Sequence, residues 1–473
     1  MPIRTSQAAW VAGLVGVGVL AAVLYGPGYL GYDAAWGLVW GAELADGGLP
    51  SYEAALAPTP HPLVNVAAAV IAVMSGDGEP VLVALSFAAF AVLVGGAWQL
   101  GAELAGSWRG GPGAAVLVGS VPLLAREVAF ASVDIPFLAL VVWALVLLVR
   151  AGGPTLGPLW LLSAAGLLRP EAWVLAGAFV AWMAADGRAG RTGLLRAAGL
   201  ALAAPVLWAL SDLVITGTPL HSLQGTRALA DTLDRPQGFG SALSALVPRL
   251  AATAGIAVVA AGACGAAALW LRGVRMVLPV LGAAVVALVT FLALGAAGLP
   301  VLDRYLLLPA VLLACLAGAG AGQISLRRME TGRPAQGLAI AAGVLAVVAV
   351  ISAVQPIRDA RRFTAAREQV HRELRDVAGR AAMRRAVASC DAPLRVPDFR
   401  TRPVVLLDVP LAPEDVVVGN LADGVPGTLL TYADDRAALI FNLGAPGEVR
   451  RQAAPAGAVL IGENASWRAF SAC

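Results

Sequence analysis

The sequence predicts an all-α polytopic membrane protein of about eleven transmembrane helices, followed by a small α/β domain outside the membrane. Two observations predict this class: hydrophobic residues make up 59% of the 473 residues, and charged residues only 13%. Soluble domains contain about 25% charged residues. The composition therefore excludes a soluble globular enzyme, a disordered protein and a fibrous protein. The net charge of +3 also excludes nucleic-acid binding as the main task, because no face is densely basic.

Apolar segments long enough to cross a bilayer, about 20 residues, recur throughout the first 354 residues. Two longer blocks, 113–149 and 158–185, carry charges in their middle, and we expect each to be a hairpin of two crossings. Arg-rich loops normally lie in the cytoplasm, and all of them do so here only if both blocks are hairpins. This gives eleven crossings, with the N-terminus inside and the C-terminus outside. The remaining seven segments are uninterrupted: 9–30, 81–104, 197–215, 246–271, 276–297, 305–323 and 336–354.

Two other features of the membrane region are predicted from local sequence. Segment 62–75 is apolar but too short to span a bilayer, so we expect a helix that lies on the outer surface. Runs of glycine and alanine at 260–268 and 316–322 predict close packing between helices, because small residues let two backbones approach.

Residues 355–473 are predicted to form a separate domain after the transmembrane domain at 1–354. Segment 358–385 has apolar residues at helical spacing. Cys390 and Cys473 both lie in this domain, where an oxidising exterior favours a disulfide, with two unpaired thiols as the alternative. Short apolar runs between Pro, Gly and Asp predict strands at 404–407, 416–418, 428–432, 438–441, 458–461 and 466–470.

Ionisable residues that interrupt apolar segments mark function in membrane proteins, and here nearly all fall in loops predicted to lie outside. A channel would instead distribute polar residues through the depth of its spans. Arginines bind phosphate through forked hydrogen bonds, and a carboxylate accepts the proton of an attacking hydroxyl. The set therefore favours group transfer from a lipid-borne phosphate to an outer acceptor. Its members are Asp33, His61, Asp134, Arg169, Glu171, His221, Arg227, Arg304 and Tyr305.

Structural explanations compete with function for several of these residues. Asp33 follows the first span, where a carboxylate is readily solvated, although its neighbour Tyr32 favours a functional role. Arg169 and Glu171 together fit a simple ion pair at a hairpin tip. His61 lies between two prolines and fits a rigid turn.

Several short motifs resemble the GT-C superfamily, polytopic glycosyltransferases that use polyprenyl-phosphate sugars. Leu-Arg-Pro-Glu-Ala at 168–172 resembles their Arg-Pro turn, and Asp-Arg-Tyr-Leu-Leu-Leu-Pro at 303–309 resembles their Arg-Tyr-Leu-Leu-Pro segment. Thr-Gly-Thr-Pro-Leu at 216–220 resembles the Gly-x-Pro segment of the arabinosyl- and mannosyltransferase branches. The first predicted outer loop also resembles theirs: an acidic residue, Asp33, comes just after the first span, and a Pro-rich stretch leads into a surface helix. The resemblance covers roughly residues 9–323.

The resemblance implies roles for individual residues. Asp33 matches the first-loop acid that acts as base or metal partner, and Asp134 matches the second-loop acid. Arg169 and Arg304 match positions near the lipid phosphate. Many members carry paired acids in the first loop, whereas Asp33 stands alone here, so use of a divalent cation (Mg²⁺ or Mn²⁺, held by Asp33, Asp134 and His61) stays open.

The function implied is transfer of a sugar, with inversion, from a polyprenyl-phosphate donor to a glycan, lipid or protein acceptor. The reaction would take place at the outer face of the plasma membrane, in building the cell envelope. All 33 basic residues are arginines, a bias typical of GC-rich bacteria such as actinobacteria. Two alternatives stay open: a lipid or solute transporter or flippase, whose broken helices the interrupted blocks would provide, and a non-catalytic scaffold of the same fold.

Overall fold

The computed structural model describes residues 7–324, 334–442 and 452–473, and most of these residues are helical. The first ten helices are α1 (Gln7–Tyr25), α2 (Tyr32–Ala45), α3 (Pro62–Met74), α4 (Glu79–Ala105), α5 (Gly110–Gly119), α6 (Pro122–Ala129), α7 (Asp134–Ala151), α8 (Leu156–Gly166), α9 (Glu171–Asp186) and α10 (Gly190–Thr216). The others are α11 (His221–Thr232), α12 (Phe239–Ala254), α13 (Ile256–Leu271), α14 (Val277–Ala296), α15 (Leu307–Ala321), α16 (Pro334–Ala378), α17 (Ala381–Ser389), α18 (Thr401–Leu406) and α19 (Asp435–Phe441).

Within the described ranges, seven helices are long and apolar enough to cross a membrane, and up to nine if each bent pair is one span. The chain is therefore a multi-pass membrane protein. The count of eleven is not confirmed, because α8 and α9, with 11 and 16 residues, are shorter than the roughly 20 that a span needs. The orientation of the termini stays a prediction.

Both charged blocks are interrupted, as the sequence suggested. In block 113–149 the chain bends by 65° between α5 and α6, and α7 then begins at Asp134. In block 158–185, α8 ends at Gly166 and α9 begins at Glu171. The charges therefore lie at helix ends, where backbone groups and neighbouring side chains can pair with them.

The uninterrupted span predicted at 246–271 is wrong. The chain turns by 92° between α12 and α13. The turn is at Gly255, whose φ of +82° is in the region that glycine adopts without steric cost. Hydropathy did not reveal this break, because both helices are apolar.

Contacts divide the chain into two compact units. The first unit comprises residues 1–25, 61–63 and 84–361. The second comprises residues 26–60, 64–83 and 362–473. The second unit thus includes most of the first predicted loop, which the sequence-based division at 354/355 had left with the membrane domain.

Small residues set the distance between helices in the first unit. A Cβ atom added to Gly265 of α13 would overlap the backbone of Leu316 in α15. A Cβ atom added to Gly318 of α15 would overlap the backbone of Ala114 in α5. The glycine- and alanine-rich runs therefore allow close helix packing, as their composition predicted.

The second unit contains a five-stranded sheet in the order β2-β1-β3-β5-β4. Strand β1 is parallel to β2 and β3, whereas β5 is antiparallel to β3 and β4. Cys390 and Cys473, which flank the sheet in sequence, form a disulfide with their Cα atoms 5.6 Å apart. The strands are β1 (Leu394–Val396), β2 (Val416–Val418), β3 (Thr428–Tyr432), β4 (Val459–Glu463) and β5 (Trp467–Ser471).

Two predicted strands of this domain are helices. Segment 404–407 belongs largely to α18, and 438–441 belongs to α19. Short apolar runs do not distinguish a strand from a buried helical turn. The start of α19 had a recognisable signal: the Asp434 side chain caps it by accepting the Ala437 N–H at 2.7 Å. Strand β1 was not predicted.

Candidate functional site

Five of the predicted site residues line one small cavity in the first unit, which we call the Arg169 site. They are Asp134, Arg169, Glu171, Arg304 and Tyr305. They come from the start of α7, the turn before α9, the start of α9 and the 3-10 turn Asp303–Leu306 before α15. The cavity measures about 10 Å³, close to the smallest volume that holds one water molecule.

Local sequence fixes the carboxylate and the arginine at helix ends. Asp134 is the first residue of α7, where its negative charge suits the helix dipole, and Ser132 Oγ donates to its Oδ2 at 2.8 Å. Arg169 precedes Pro170, the N-cap of α9, whose φ of −65° is the value that the proline ring imposes. Both side chains are buried.

An ion triad organises the site. The Arg169 guanidinium pairs with Asp134 and with Glu171, whose Oε1 is 2.5 Å from Nη2. The same guanidinium lies over the ring of Tyr305, 4.9 Å from its centroid. Since Asp134 is buried against a cation, it is engaged as a counter-ion and poorly placed to accept a proton from an incoming group.

Glu171 also presents a second oxygen to the cavity. Its Oε2 is buried and accepts no hydrogen bond from the residues that the structure describes. A buried carboxylate oxygen without a donor costs free energy unless a bound molecule supplies one. The site thus offers two guanidinium groups, from Arg169 and Arg304, and one carboxylate oxygen that can accept from a hydroxyl.

Arg249 holds the segment that carries Arg304 and was missed in the sequence. Its Nη1 donates to Asp303 Oδ1 at 2.8 Å and to the Val301 carbonyl at 3.0 Å. An arginine inside the apolar helix α12 was the available signal. These contacts fix the position of the 3-10 turn relative to α12.

The other predicted residues of the first unit do not line this cavity. The ring of His61 packs against Trp208 with centroids 5.9 Å apart. Arg227 Nε donates to the Ala297 carbonyl at 2.7 Å. His221 begins α11, next to Ser222, whose N–H and hydroxyl bind Asp212 in α10. Asp212 is a buried acid in α10 that sequence reasoning also missed.

An apolar groove of about 620 Å³ lies between α7, α8, α9 and α14. Leu175 of α9 lines both this groove and the cavity of the Arg169 site. Asp186 and Arg275 are the charged members of the groove lining. The first unit therefore places a charged cavity next to an apolar groove.

Asp33 belongs to the second unit, in the first turn of α2, where it is half-buried. Its neighbour Tyr32 donates a hydrogen bond to the Leu56 carbonyl. Burial raises the pKa of the Tyr32 phenol, while the charges of two arginines oppose that rise. The start of α2 is therefore a position fixed by aromatic and polar contacts.

A metal site is not evident in the side chains that the structure describes, where no three His, Cys, Asp or Glu residues are grouped to hold an ion. Asp134 is already paired with Arg169. A carboxylate already neutralised by a buried guanidinium does not fit a preformed cation site.

Solved structures share the fold of this chain, whereas no protein-family model and no curated protein match it. ArnT from Cupriavidus metallidurans bound to undecaprenyl phosphate superimposes with a TM-score of 0.53 at 14% identity, over 98% of both chains. The same protein in its apo state gives a TM-score of 0.49 at 15% identity, over 99% of this chain and 98% of that chain. The shared fold thus extends over nearly the whole length.

Proposed function

We propose that this protein is a GT-C-type membrane glycosyltransferase that transfers a sugar from a polyprenyl-phosphate donor to an acceptor outside the membrane. The Arg169 site carries this proposal, because it joins two guanidinium groups to an apolar groove through Leu175. A polyprenyl-phosphate sugar has an anionic head and a long apolar tail, so its binding needs both the guanidinium groups and the apolar groove. The fold shared with ArnT, which was solved with undecaprenyl phosphate bound, supports the same class of donor.

Because a cavity of about 10 Å³ holds one water molecule at most, the donor would bind only after the surrounding side chains move apart, with its phosphate on Arg304 and Arg169. Charge-assisted hydrogen bonds from guanidinium to phosphate are roughly twice as strong as neutral ones. Glu171 Oε2 would accept a hydrogen bond from a sugar hydroxyl, which supplies the donor that this buried atom lacks. The first isoprene units would follow the groove beyond Leu175.

Asp33 would act as the base, the role that its match to the first-loop acid of GT-C enzymes implies, and Asp134 would remain the counter-ion of Arg169. The acceptor hydroxyl attacks the anomeric carbon, its proton passes to the Asp33 carboxylate, and a new C–O bond forms. The bond from the anomeric carbon to the phosphate oxygen breaks, and the electron pair leaves with polyprenyl phosphate. The guanidinium groups stabilise this leaving group, and direct attack inverts the anomeric configuration. His61, His221 and Arg227 take no part in this step.

The test is transfer of labelled sugar by the purified protein in lipid vesicles, supplied with a panel of polyprenyl-phosphate sugars. Asp33→Asn should slow transfer by roughly 10²–10⁴-fold, the usual contribution of a general base. Asp46→Asn, at the exposed other end of α2, is the matched control and should leave the rate unchanged. Arg304→Ala should raise the donor KM.

Two results would count against these assignments. Full activity in Asp33→Asn would remove Asp33 as the base while leaving the enzyme class intact. No transfer by the native protein from any donor of the panel would overturn the glycosyltransferase proposal and favour a transporter or a scaffold.

A further inference from the structure

The 3-10 turn Asp303–Leu306 supplies two of the side chains that line the cavity of the Arg169 site, Arg304 and Tyr305. A 3-10 turn has poorer hydrogen-bond geometry than an α-helix and rarely exceeds four residues. Its backbone alone therefore defines the direction of its side chains less firmly than a long helix does. The orientation of Arg304 thus depends on contacts between the turn and its neighbours.

Apolar packing anchors the turn at both ends. Val301 precedes the turn and Leu306 ends it, and both are buried. They form one apolar cluster with Ala242 of α12 and Phe291 of α14. The Val301 N–H also donates to the Pro236 carbonyl at 2.9 Å. Because apolar contacts are not directional, they fix where the two ends lie but leave the orientation of the turn between them less defined.

Arg249 of α12 adds the directional contacts. Its Nη1 donates to the Val301 carbonyl at 3.0 Å and to Asp303 Oδ1 at 2.8 Å. An Nη1 nitrogen carries two hydrogens, so these two bonds use both of them. Hydrogen bonds weaken steeply when donor and acceptor are misaligned. One guanidinium thus holds the backbone before the turn and the side chain of the residue that precedes Arg304.

Stability gives little reason for this contact. The side chains of Arg249 and Asp303 are 30% and 47% exposed, and ion pairs with such exposure add little to the free energy of unfolding. Neither residue belongs to the described lining of the cavity, whereas Arg304, the neighbour of Asp303, does. A side chain outside a site that fixes the orientation of one inside it is typical of the support around binding groups.

We propose that Arg249 is a positioning residue for the polyprenyl-phosphate donor: it holds the turn in the orientation in which the Arg304 guanidinium binds the phosphate. This inference rests on the proposed function, which places the donor phosphate on Arg304 and Arg169. Arg249 itself does not touch the donor and acts only through Arg304. A guanidinium fork turned away from the phosphate oxygens would lose part of its charge-assisted hydrogen bonding.

The experiment uses the full-length protein in lipid vesicles. Arg249→Met keeps an unbranched stem but removes both donated bonds, and Arg249→Lys keeps the charge but loses the fork. Both are compared with Arg304→Ala and with the double variant Arg249→Met, Arg304→Ala. The matched control is Arg150→Met, because Arg150 pairs with Glu103 at 2.7 Å in a similarly exposed ion pair of the same unit. The Kd for polyprenyl phosphate without a sugar is measured for each variant, and sugar transfer is measured for the native protein.

Arg249→Met should raise the Kd by roughly 10- to 100-fold, because a misplacement of about 1 Å at a binding group can cost up to about 100-fold. Arg249→Lys should lie between Arg249→Met and the native protein, and the control should match the native protein. The double variant should bind no more weakly than Arg304→Ala alone, because the residue that Arg249 positions is then absent. A purely structural role of Arg249 would not produce this dependence on Arg304.

An unchanged Kd in Arg249→Met, with native transfer intact, would overturn the inference and leave the proposed function standing. An equal rise with and without the Arg304 side chain would also overturn it, because it would show a general loosening of the structure. If Arg249→Met does not fold, Asp303→Asn takes its place: it removes the charge that Arg249 binds and should raise the Kd several-fold. An unchanged Kd in Asp303→Asn would then refute the positioning role. Failure of the native protein to bind polyprenyl phosphate or to transfer sugar would instead overturn the proposed function, and this inference with it.

Discussion

Replacing Arg169 with glutamine should destabilise the protein far more than the same change at Arg150. The Arg169 side chain is 5% exposed, and its partners Asp134 and Glu171 are 2% and 11% exposed. Arg150 and its partner Glu103 are 42% and 36% exposed. Removing one member of a buried ion pair costs about 3–5 kcal/mol, whereas an exposed pair contributes about 0–1 kcal/mol.

The large cost comes from the two carboxylates that Arg169→Gln leaves buried without a counter-charge. If this is the cause, the triple variant Asp134→Asn, Arg169→Gln, Glu171→Gln should recover most of the loss, because it buries no charge. A residual loss of about 1 kcal/mol is expected, since the guanidinium also covers the ring of Tyr305.

Unfolding of the purified protein in mixed micelles, followed by the fluorescence of its 12 tryptophans, gives the free energies. Equal losses for Arg169→Gln and Arg150→Gln would show that burial does not distinguish the two ion pairs. A triple variant as unstable as Arg169→Gln would assign the loss to packing and refute the argument from uncompensated charge.

Three further predictions concern stability and use the same unfolding assay. Gly318→Ala should lower the free energy of unfolding by about 1–3 kcal/mol, because its methyl group would overlap the facing helix. The control Gly282→Ala, which has open space around it, should be neutral or stabilising. Equal effects of the two substitutions would contradict the packing argument. Cys390→Ser removes the disulfide, whose two cysteines are 83 residues apart, and should lower the free energy of unfolding of the C-terminal domain by about 4.5 kcal/mol. An unchanged unfolding midpoint under oxidising conditions would refute this. Burial raises the pKa of Glu43 above its ordinary 4.5, despite hydrogen bonds from Ser51, so the folded state holds this proton more tightly. The free energy of unfolding should therefore fall as the pH rises above 4.5, and Glu43→Gln should flatten that slope. An identical pH profile in the variant would exclude Glu43 as its source.

The sequence identified the members of the Arg169 site, although not their arrangement. Asp134, Arg169 and Arg304 stand out because a charge that interrupts an apolar segment must lie at a helix end or inside a polar cluster. The pairing of these residues depends on the packing of α7, α9 and α15, which a single sequence does not predict. The engagement of Asp134 by Arg169 therefore required the structure.

The incorrect predictions share one cause: at these positions the local structure depends on tertiary packing, which the sequence pattern does not reveal. Gly255 breaks an apolar run without any polar signal, so hydropathy treated 246–271 as one span. Segments 404–407 and 438–441 are too short for periodicity to separate strand from helix. Arg249 was overlooked because a lone arginine in an apolar helix gives no hint of its partner.

The position of the disulfide has a consequence for how the protein is made. Cys390 precedes β1 and Cys473 follows β5, so every strand of the described sheet lies between them in sequence. Because β3 in the middle of the sheet pairs with β5, the two sulfur atoms meet only after the last strand has been synthesised and added. Until then Cys390 cannot pair with Cys473. Oxidation of this pair therefore distinguishes a chain in which β5 has joined the sheet from one that stops before Cys473, and the difference is readable at Cys390 alone.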